Sequence, residues 1–412
     1  MTTGLYKKGI GIFVCMLLIV TVVSQVSACT GFMINEDESI LVGHNKDWWI
    51  TDAYINVYPP SEGKHGRLFF EIPYPITIDS SYYVLAGGIN DQGLFYESFV
   101  TPKLPASFEP FKPPLFKHPS PYLMETYSTV AEVVEYIESH NLYFMNLLLS
   151  TGQIFVVDKN GDSAIIEGDD VIYREGDYQV CTNFLHSHPE LGGYPCWRYK
   201  TVVNMLENMT DPSVEYCREI LNASHQDGYT QYSTIFDLNN GILYLHHFHD
   251  YKNYIEINLT KEFNLGIHSY YLPSLFEPIN NQPPEKPDNP IGPISGKIKT
   301  EYLYETNTID PDNDYNQIYY KWDFGDGTQS YWILNKEPYF GKILHTWKKT
   351  GNYEVRVKAR DIYGCESEWS DPLTVAMPKN KAINPLILFL ERLSERFPVM
   401  EQILHQIYDK LA

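Results

Sequence analysis

Cys29 stands where a reactive thiol would be most useful. Lys7 and Lys8 precede an apolar run over residues 10–23, and Val26, Ser27 and Ala28 are the small residues a signal peptidase reads. The expectation is a secretory signal over residues 1–28 whose removal makes Cys29 the amino terminus and discards Cys15. Thiol and α-amine would then share one residue. An amine titrating near ~7.7–8.0 can take the proton of a thiol near ~8.5 and later pass one to a leaving amine. No histidine base is needed for that chemistry. The same Val26-Ser27-Ala28-Cys29 stretch also fits a lipoprotein cleavage box, which would cap Cys29 with lipid and leave a membrane-tethered binding module.

Other chemistry-bearing groups are read more plainly. His186-x-His188 and His246-His247-x-His249-Asp250 carry metal-ligand residue types without the spacing of a known site, so they are taken as ordinary strand-face or exposed histidines and no metal is assigned. Asp310, Asp312 and Asp314 are taken as a solvated acidic turn, with calcium as the alternative. The mature chain would keep five cysteines, so at least one is unpaired; Cys181, Cys196, Cys217 and Cys365 include one disulfide or are all thiols.

The elements that must position these groups follow from hydrophobic period. Residues 39–43, 82–86, 153–157, 163–167 and 241–246 read as strands, whereas 129–140 and 194–206 carry the three- and four-residue spacing of amphipathic helices. An amino-terminal domain over 29–278 is expected to be α+β. Pro283, Pro284, Pro287, Pro290 and Pro293 mark a linker over 279–294, and 295–378 reads as short strands between turns. A last segment, 379–412, has Leu386, Leu390, Leu393, Phe397, Ile403 and Ile407 among charges and is expected to form a short amphipathic helical tail.

Two resemblances sharpen this reading. Cys29-Thr30-Gly31-Phe32, Gly43-His44-Asn45-Lys46-Asp47-Trp48, Gly88-Ile89-Asn90-Asp91-Gln92-Gly93-Leu94, Cys181-Thr182-Asn183-Phe184, Trp197-Arg198-Tyr199 and residues 232–237 follow in order. Together they resemble the N-terminal-nucleophile amidohydrolases that include choloylglycine hydrolase, penicillin V acylase and the isopenicillin-N acyltransferase-like group. The resemblance implies a four-layer αββα sandwich, with Cys29 as nucleophile and Asp47 orienting its amine and thiol. It further implies Asn183 as an oxyanion donor, Arg198 ordering the site, and His44, Asn45 and Asn90 lining the substrate. His44 replaces the arginine of the choloylglycine hydrolase branch, so the likeness is closer to the acyltransferase-like branch. Separately, residues 322–328 (Trp-Asp-Phe-Gly-Asp-Gly-Thr), His345-Thr346-Trp347 and 351–359 resemble the polycystic-kidney-disease-type (PKD) immunoglobulin-like module, which implies a small β-sandwich and contact with a cell surface, glycan or protein.

Composition bounds the function. The 412 residues hold 31 Lys+Arg against 52 Asp+Glu, and losing residues 1–28 removes two lysines and no acid, which moves the formal charge from −21 to −23. No basic cluster exists to grip phosphates, so nucleic-acid and anionic-membrane partners are excluded. Three sequons, at Asn208, Asn222 and Asn258, suit a secreted or surface protein. The expected activity is hydrolysis of a small linear acyl amide through a Cys29 thioester without a cofactor, with acyl transfer as the in-family alternative. Phe, Tyr and Pro in 58–74 and 101–122 hint at an apolar acyl group.

Overall fold

The computed structural model describes residues 29–378 except 37–38, 49–51, 78–79, 103, 105–108, 116–118, 143–150, 279, 313–316 and 336–339. The expected signal (1–28) and helical tail (379–412) lie outside the described residues.

Two antiparallel sheets carry the amino-terminal part. The first joins β1 (Thr30–Glu36), β2 (Ser39–Asp47), β10 (Tyr178–Thr182), β11 (Thr230–Asp237), β12 (Ile242–His247) and β13 (Ile255–Asn258) in the order β10-β1-β2-β11-β12-β13. The second has eight strands: β3 (Tyr54–Tyr58), β4 (Arg67–Thr77), β5 (Ser80–Asn90), β6 (Phe95–Thr101), β7 (Thr151–Val157), β8 (Ser163–Glu167), β9 (Asp170–Tyr173) and β14 (His268–Tyr271). Their order is β14-β3-β4-β5-β6-β7-β8-β9. Alternation along the strands sends Met33, Val42, Phe236 and Leu245 of the first sheet into a shared core with Ile55, Phe70, Phe95 and Phe155 of the second. The opposite face of the first sheet places Phe32, Ile34, Val180 and Ile235 against α3 (Trp197–Glu207) and α4 (Val214–Ser224). On the far side of the second sheet lie α1 (Ser120–Thr126) and α2 (Val130–Glu138). Thr129 and Glu132 close a capping box at the start of α2, which fixes that helix within the expected 129–140.

The expected four-layer αββα sandwich is corrected. Strand far outweighs helix among the described residues, in several antiparallel sheets, and their five α-helices run six to eleven residues, the last being α5 (Leu259–Asn264). Short helices lie against the sheets as patches, and strands carry the architecture. The reason is in the patterning: few stretches have a period near 3.6, while β1, β2, β8 and β11 are short runs buried along nearly their whole length.

The carboxy-terminal part is a small β domain. β15 (Tyr302–Asn307) pairs with β18 (Phe340–His345), and β17 (Ile333–Asn335), β16 (Ile318–Asp323), β19 (Gly351–Arg360) and β20 (Leu373–Met377) form a four-stranded sheet. Tyr304, Trp322, Phe324, Trp347, Val355 and Val357 fill the space between them. The proline-rich segment lies along β15. The amides of Glu285, Asp288 and Ile291 donate to the carbonyls of Ile309, Asn307 and Glu305, so donors recur every third residue between prolines that have none.

The two parts touch through named side chains. Arg360 pairs with Asp52 at 2.5 Å and lies against the rings of Trp332 and Tyr319. Phe248, Tyr319, Trp332 and Ile362 form a buried apolar cluster between them.

Candidate active site

Strand register assembles the region around Cys29. Thr30 lies opposite Thr182 on one side and Asn45 on the other, so Cys29, one residue earlier, sits across from Asn183 and Lys46. Its side chain is 2% exposed and belongs to the core between the sheets, with Sγ donating to the Asp47 carbonyl at 3.9 Å. Side chains alternate along β2, so Lys46 faces the same space as the thiol while Asp47 points to the helix side. That difference divides the site into two halves.

On the helix side, Arg198 reaches from α3 to the start of β1. Its Nη1 donates to the Cys29 carbonyl at 2.5 Å and to Thr30 Oγ1 at 3.0 Å, and lies 3.8 Å from Asp47 Oδ2. Asp47 accepts from Thr230 Oγ1 and Gln226 Nε2, each at 2.5 Å. Burial pushes its carboxyl up to about 6, against the downward pull of Arg198 and these hydrogen bonds. Arg198, with the Asp47 carboxylate beside it, therefore holds the main chain at residue 29, and Asp47 meets the sulfur only through its carbonyl.

On the thiol side, Lys46 Nζ donates to Glu97 Oε1 at 2.9 Å, and His44 Nδ1 lies 3.4 Å from Glu97 Oε2. All three side chains are buried. Burial raises the Glu97 carboxyl to about 7 despite Lys46. It lowers His44, and Lys46 adds to that. Burial also raises the Cys29 thiol to about 11, with Lys46 opposing and Asp47 and Glu97 contributing. Cys29 in this setting is a thiol, so attack requires a base to take its proton.

The remaining expected residues divide. Asn183 donates from Nδ2 to the Val100 carbonyl at 2.9 Å, while its Oδ1 is buried without a partner. Asn45 is held within the protein: it donates to the Leu221 carbonyl and Ser224 Oγ and accepts from Ser233 and Tyr251. Asn90 closes its own turn, accepting from the amides of Gln92 and Leu94 and donating to the carbonyls of Met124 and Tyr127. Asn45 and Asn90 thus have their polar atoms engaged with protein, unlike His44 and Asn183. His44 Nε2, Tyr232 Oη and Asn183 Oδ1 are buried without hydrogen-bond partners. Tyr232 faces Lys46 across β2 and β11, stacked on Phe70.

Lys46, Glu97, Tyr232, Gln226 and Thr230 were not singled out from sequence. Glu97 had a signal, a lone acid within the apolar run 94–100. Lys46 lies inside the motif beside Asp47, and nothing in the sequence alone says which of the two faces the thiol. Gln226 and Thr230 had no signal, because their loop meets Asp47 only through the pairing of β11 with β2.

Cys29, Cys181, Cys196, Cys217 and Cys365 are all free thiols. Cys181 donates to Gln153 Oε1 at 3.2 Å, and Cys365 to Glu277 Oε1 at 3.1 Å. In the acidic turn, Asp312 accepts from the main-chain and side-chain amides of Gln282; Asp314 lies outside the described residues. His186 stacks on Phe184, and burial lowers His247 to about 3, keeping it neutral.

No curated protein matches the chain. Among solved structures, the chain is similar to the PKD domain of an M14-like peptidase from Thermoplasmatales archaeon SCGC AB-540-F20, at 42% identity, covering 24% of this chain and 99% of that one, with a TM-score of 0.22. It is also similar at 8% identity and a TM-score of 0.21 to a protein described as membrane-anchored from Corynebacterium diphtheriae, covering 87% of this chain and 61% of that one. No helix among the described residues is long and apolar enough to cross a membrane. The PKD domain family model matches residues 303–371, which enclose β15 to β19 and the Trp322–Trp347 core. Residues 303–371 are therefore a PKD domain.

Proposed function

We propose that the mature protein is a secreted or surface-attached amide hydrolase of the N-terminal-nucleophile kind, acting through Cys29. The observation that carries this reading is the Arg198 clamp on the Cys29 carbonyl beside Asp47, with His44, Asn183 and Tyr232, each holding a buried polar atom without a partner, on the same or neighbouring strands. A packed core seldom leaves such atoms unpaired, and a polar substrate would supply their partners. Cleavage after Ala28 would place an α-amine beside the thiol and provide the missing base. The amine takes the thiol proton, sulfur attacks the acyl carbon, and the carbonyl oxygen becomes an oxyanion. Asn183 is the donor nearest by register; it would release Val100 and turn its Nδ2–H to that oxygen, an interaction worth ~3–4 kcal/mol in comparable sites. The protonated amine then gives its proton to the leaving amine, and water or a second amine resolves the thioester. Water gives hydrolysis; a second amine gives acyl transfer.

The lipid-anchored alternative gives no reason for Asp47, Asn183 and Arg198 to meet at Cys29. The PKD domain would serve contact with a surface, glycan or protein outside the cytoplasm. The test is a panel of N-acyl amides and N-acyl amino acids offered to the mature protein and to Cys29→Ala. Turnover by the mature chain, lost in Cys29→Ala with the amino terminus confirmed as Cys29 by mass, supports the proposal. Turnover that persists in Cys29→Ala rejects it.

A further inference from the structure

Away from Cys29, the loop between α4 and β11 meets the turn after β12, and three ligand-type side chains converge. One ligand atom each from His225, Asp227 and His249 lies within 4.8 Å of the others. The hydrogen bonds set the chemistry of this cluster. His225 Nδ1 lies 2.5 Å from the Asn222 carbonyl, which can only accept, so the ring proton is on Nδ1. A neutral His225 therefore turns the Nε2 lone pair toward Asp227 Oδ1, 3.0 Å away. Two lone pairs at that distance repel unless a cation lies between them. His249 brings a second imidazole: its ring stacks 5.1 Å from that of His225, and its Nε2 accepts from the Gly228 amide at 3.2 Å, so it also presents a lone pair to this loop. A single divalent ion can be reached by all three ligand atoms, which lie within 4.8 Å of one another.

We infer that His225, Asp227 and His249 form a binding site for a zinc-like divalent transition metal. Two imidazoles and one carboxylate suit zinc and its neighbours rather than calcium, which takes six to eight oxygens. The His225 Nδ1–H bond to a backbone carbonyl is the outer contact that orients a ligating imidazole. Ligand bonds of ~2.0–2.1 Å need donors roughly 3.3 Å apart in tetrahedral geometry. His225 and Asp227 already meet that spacing. The Asp227 side chain is almost fully exposed and can turn, and the Gly228 amide yields His249 Nε2 to the ion. Water takes the fourth position. The ion would tie the loop to the turn after β12, next to Gln226 and Thr230, which hold Asp47. Metal binding is expected whether or not Cys29 is a nucleophile.

The test uses the mature full-length chain, freed of metal by chelation, titrated with Zn²⁺ by calorimetry and with Co²⁺ by visible absorption. One equivalent of Zn²⁺, a Co²⁺ band in the 500–650 nm region (on the order expected for nitrogen and oxygen ligands), and a rise in Tm with Zn²⁺ are the expected results. His225→Ala and His249→Ala should each weaken binding at least ~10-fold and lose the Tm rise while keeping the wild-type circular dichroism. Asp227→Asn, which keeps the shape of the side chain, should weaken binding less. Absence of the equivalent, or affinity unchanged in both histidine variants, overturns the inference and leaves an ordinary surface contact between His225 and Asp227.

Discussion

Lys46→Met separates charge from packing beside the thiol. Methionine keeps most of the aliphatic stem and removes the ammonium that holds Glu97 at 2.9 Å, with both side chains 5% exposed or less. Orphaning one member of a buried pair costs ~3–5 kcal/mol. The loss should depend on pH. Glu97 already titrates near 7 in the folded protein against an ordinary 4.5, so its proton stabilises the fold fully below pH 4.5 and that stability is lost as pH rises through 7. Above pH 7 the wild-type carboxylate is ionised and the curve flattens. Without Lys46 the folded value rises further, and stability keeps falling by about 1.4 kcal/mol per pH unit above 7. The gap between variant and wild type should thus be smallest near pH 5 and widest near pH 9. Urea unfolding of the mature chain, followed by tryptophan fluorescence at pH 5, 7 and 9, measures it. Adding Glu97→Gln should recover most of the loss. A gap equal at all three pH values would refute the reasoning and assign the loss to packing of the lysine stem.

Two further outcomes concern the PKD domain. Arg360→Met removes the partner of Asp52 and should cost about 3 kcal/mol, the low end for a buried pair because Asp52 is partly exposed; calorimetry should then show the PKD domain melting in its own transition, and a single unchanged transition would count against the pair as an anchor. Gly325 has φ +70, and a Cβ there would lie 2.6 Å from the Glu354 amide nitrogen. Gly325→Ala should cost at least ~1–2 kcal/mol from the left-handed backbone alone, more with the contact, read as a lower urea midpoint for that domain.

Much of the carboxy-terminal domain was legible because its signals are local. A Trp-Asp-Phe-Gly-Asp-Gly-Thr turn needs glycines at positive φ, and Gly325 and Gly327 have it, while Trp322 and Trp347 can only be core. The pairing of β1 with β2 brings residues 45–47 back to Cys29, and the sequence offered it only through the family resemblance. Layer proportions were not legible. Amphipathic spacing over 129–140 and 194–206 located two helices, yet it could not show that strands would outnumber them. Parity decides which of Lys46 and Asp47 shares a face with the thiol, and parity is fixed only by register. Glu97 belongs to the other sheet, so its meeting with Lys46 depends on how two sheets stack, a contact 51 residues apart in sequence. Tyr319 and Gln231, which touch across the two parts of the molecule, carry no local sign of doing so.

That last contact bears on how the chain can be rearranged. PKD domains are often imagined as beads, exchangeable along a string. Here Tyr319, Arg360 and Ile362 project from the domain's own sheet and its edge into the amino-terminal part, and Gln231, which meets Tyr319, also donates to the main chain at Trp48, the residue after Asp47. A transplanted PKD domain lacking those three side chains would keep its fold and lose its seat. Recombination can therefore bring in a new domain of this kind only together with its contact residues, and the two halves of the chain are bound to diverge as one unit.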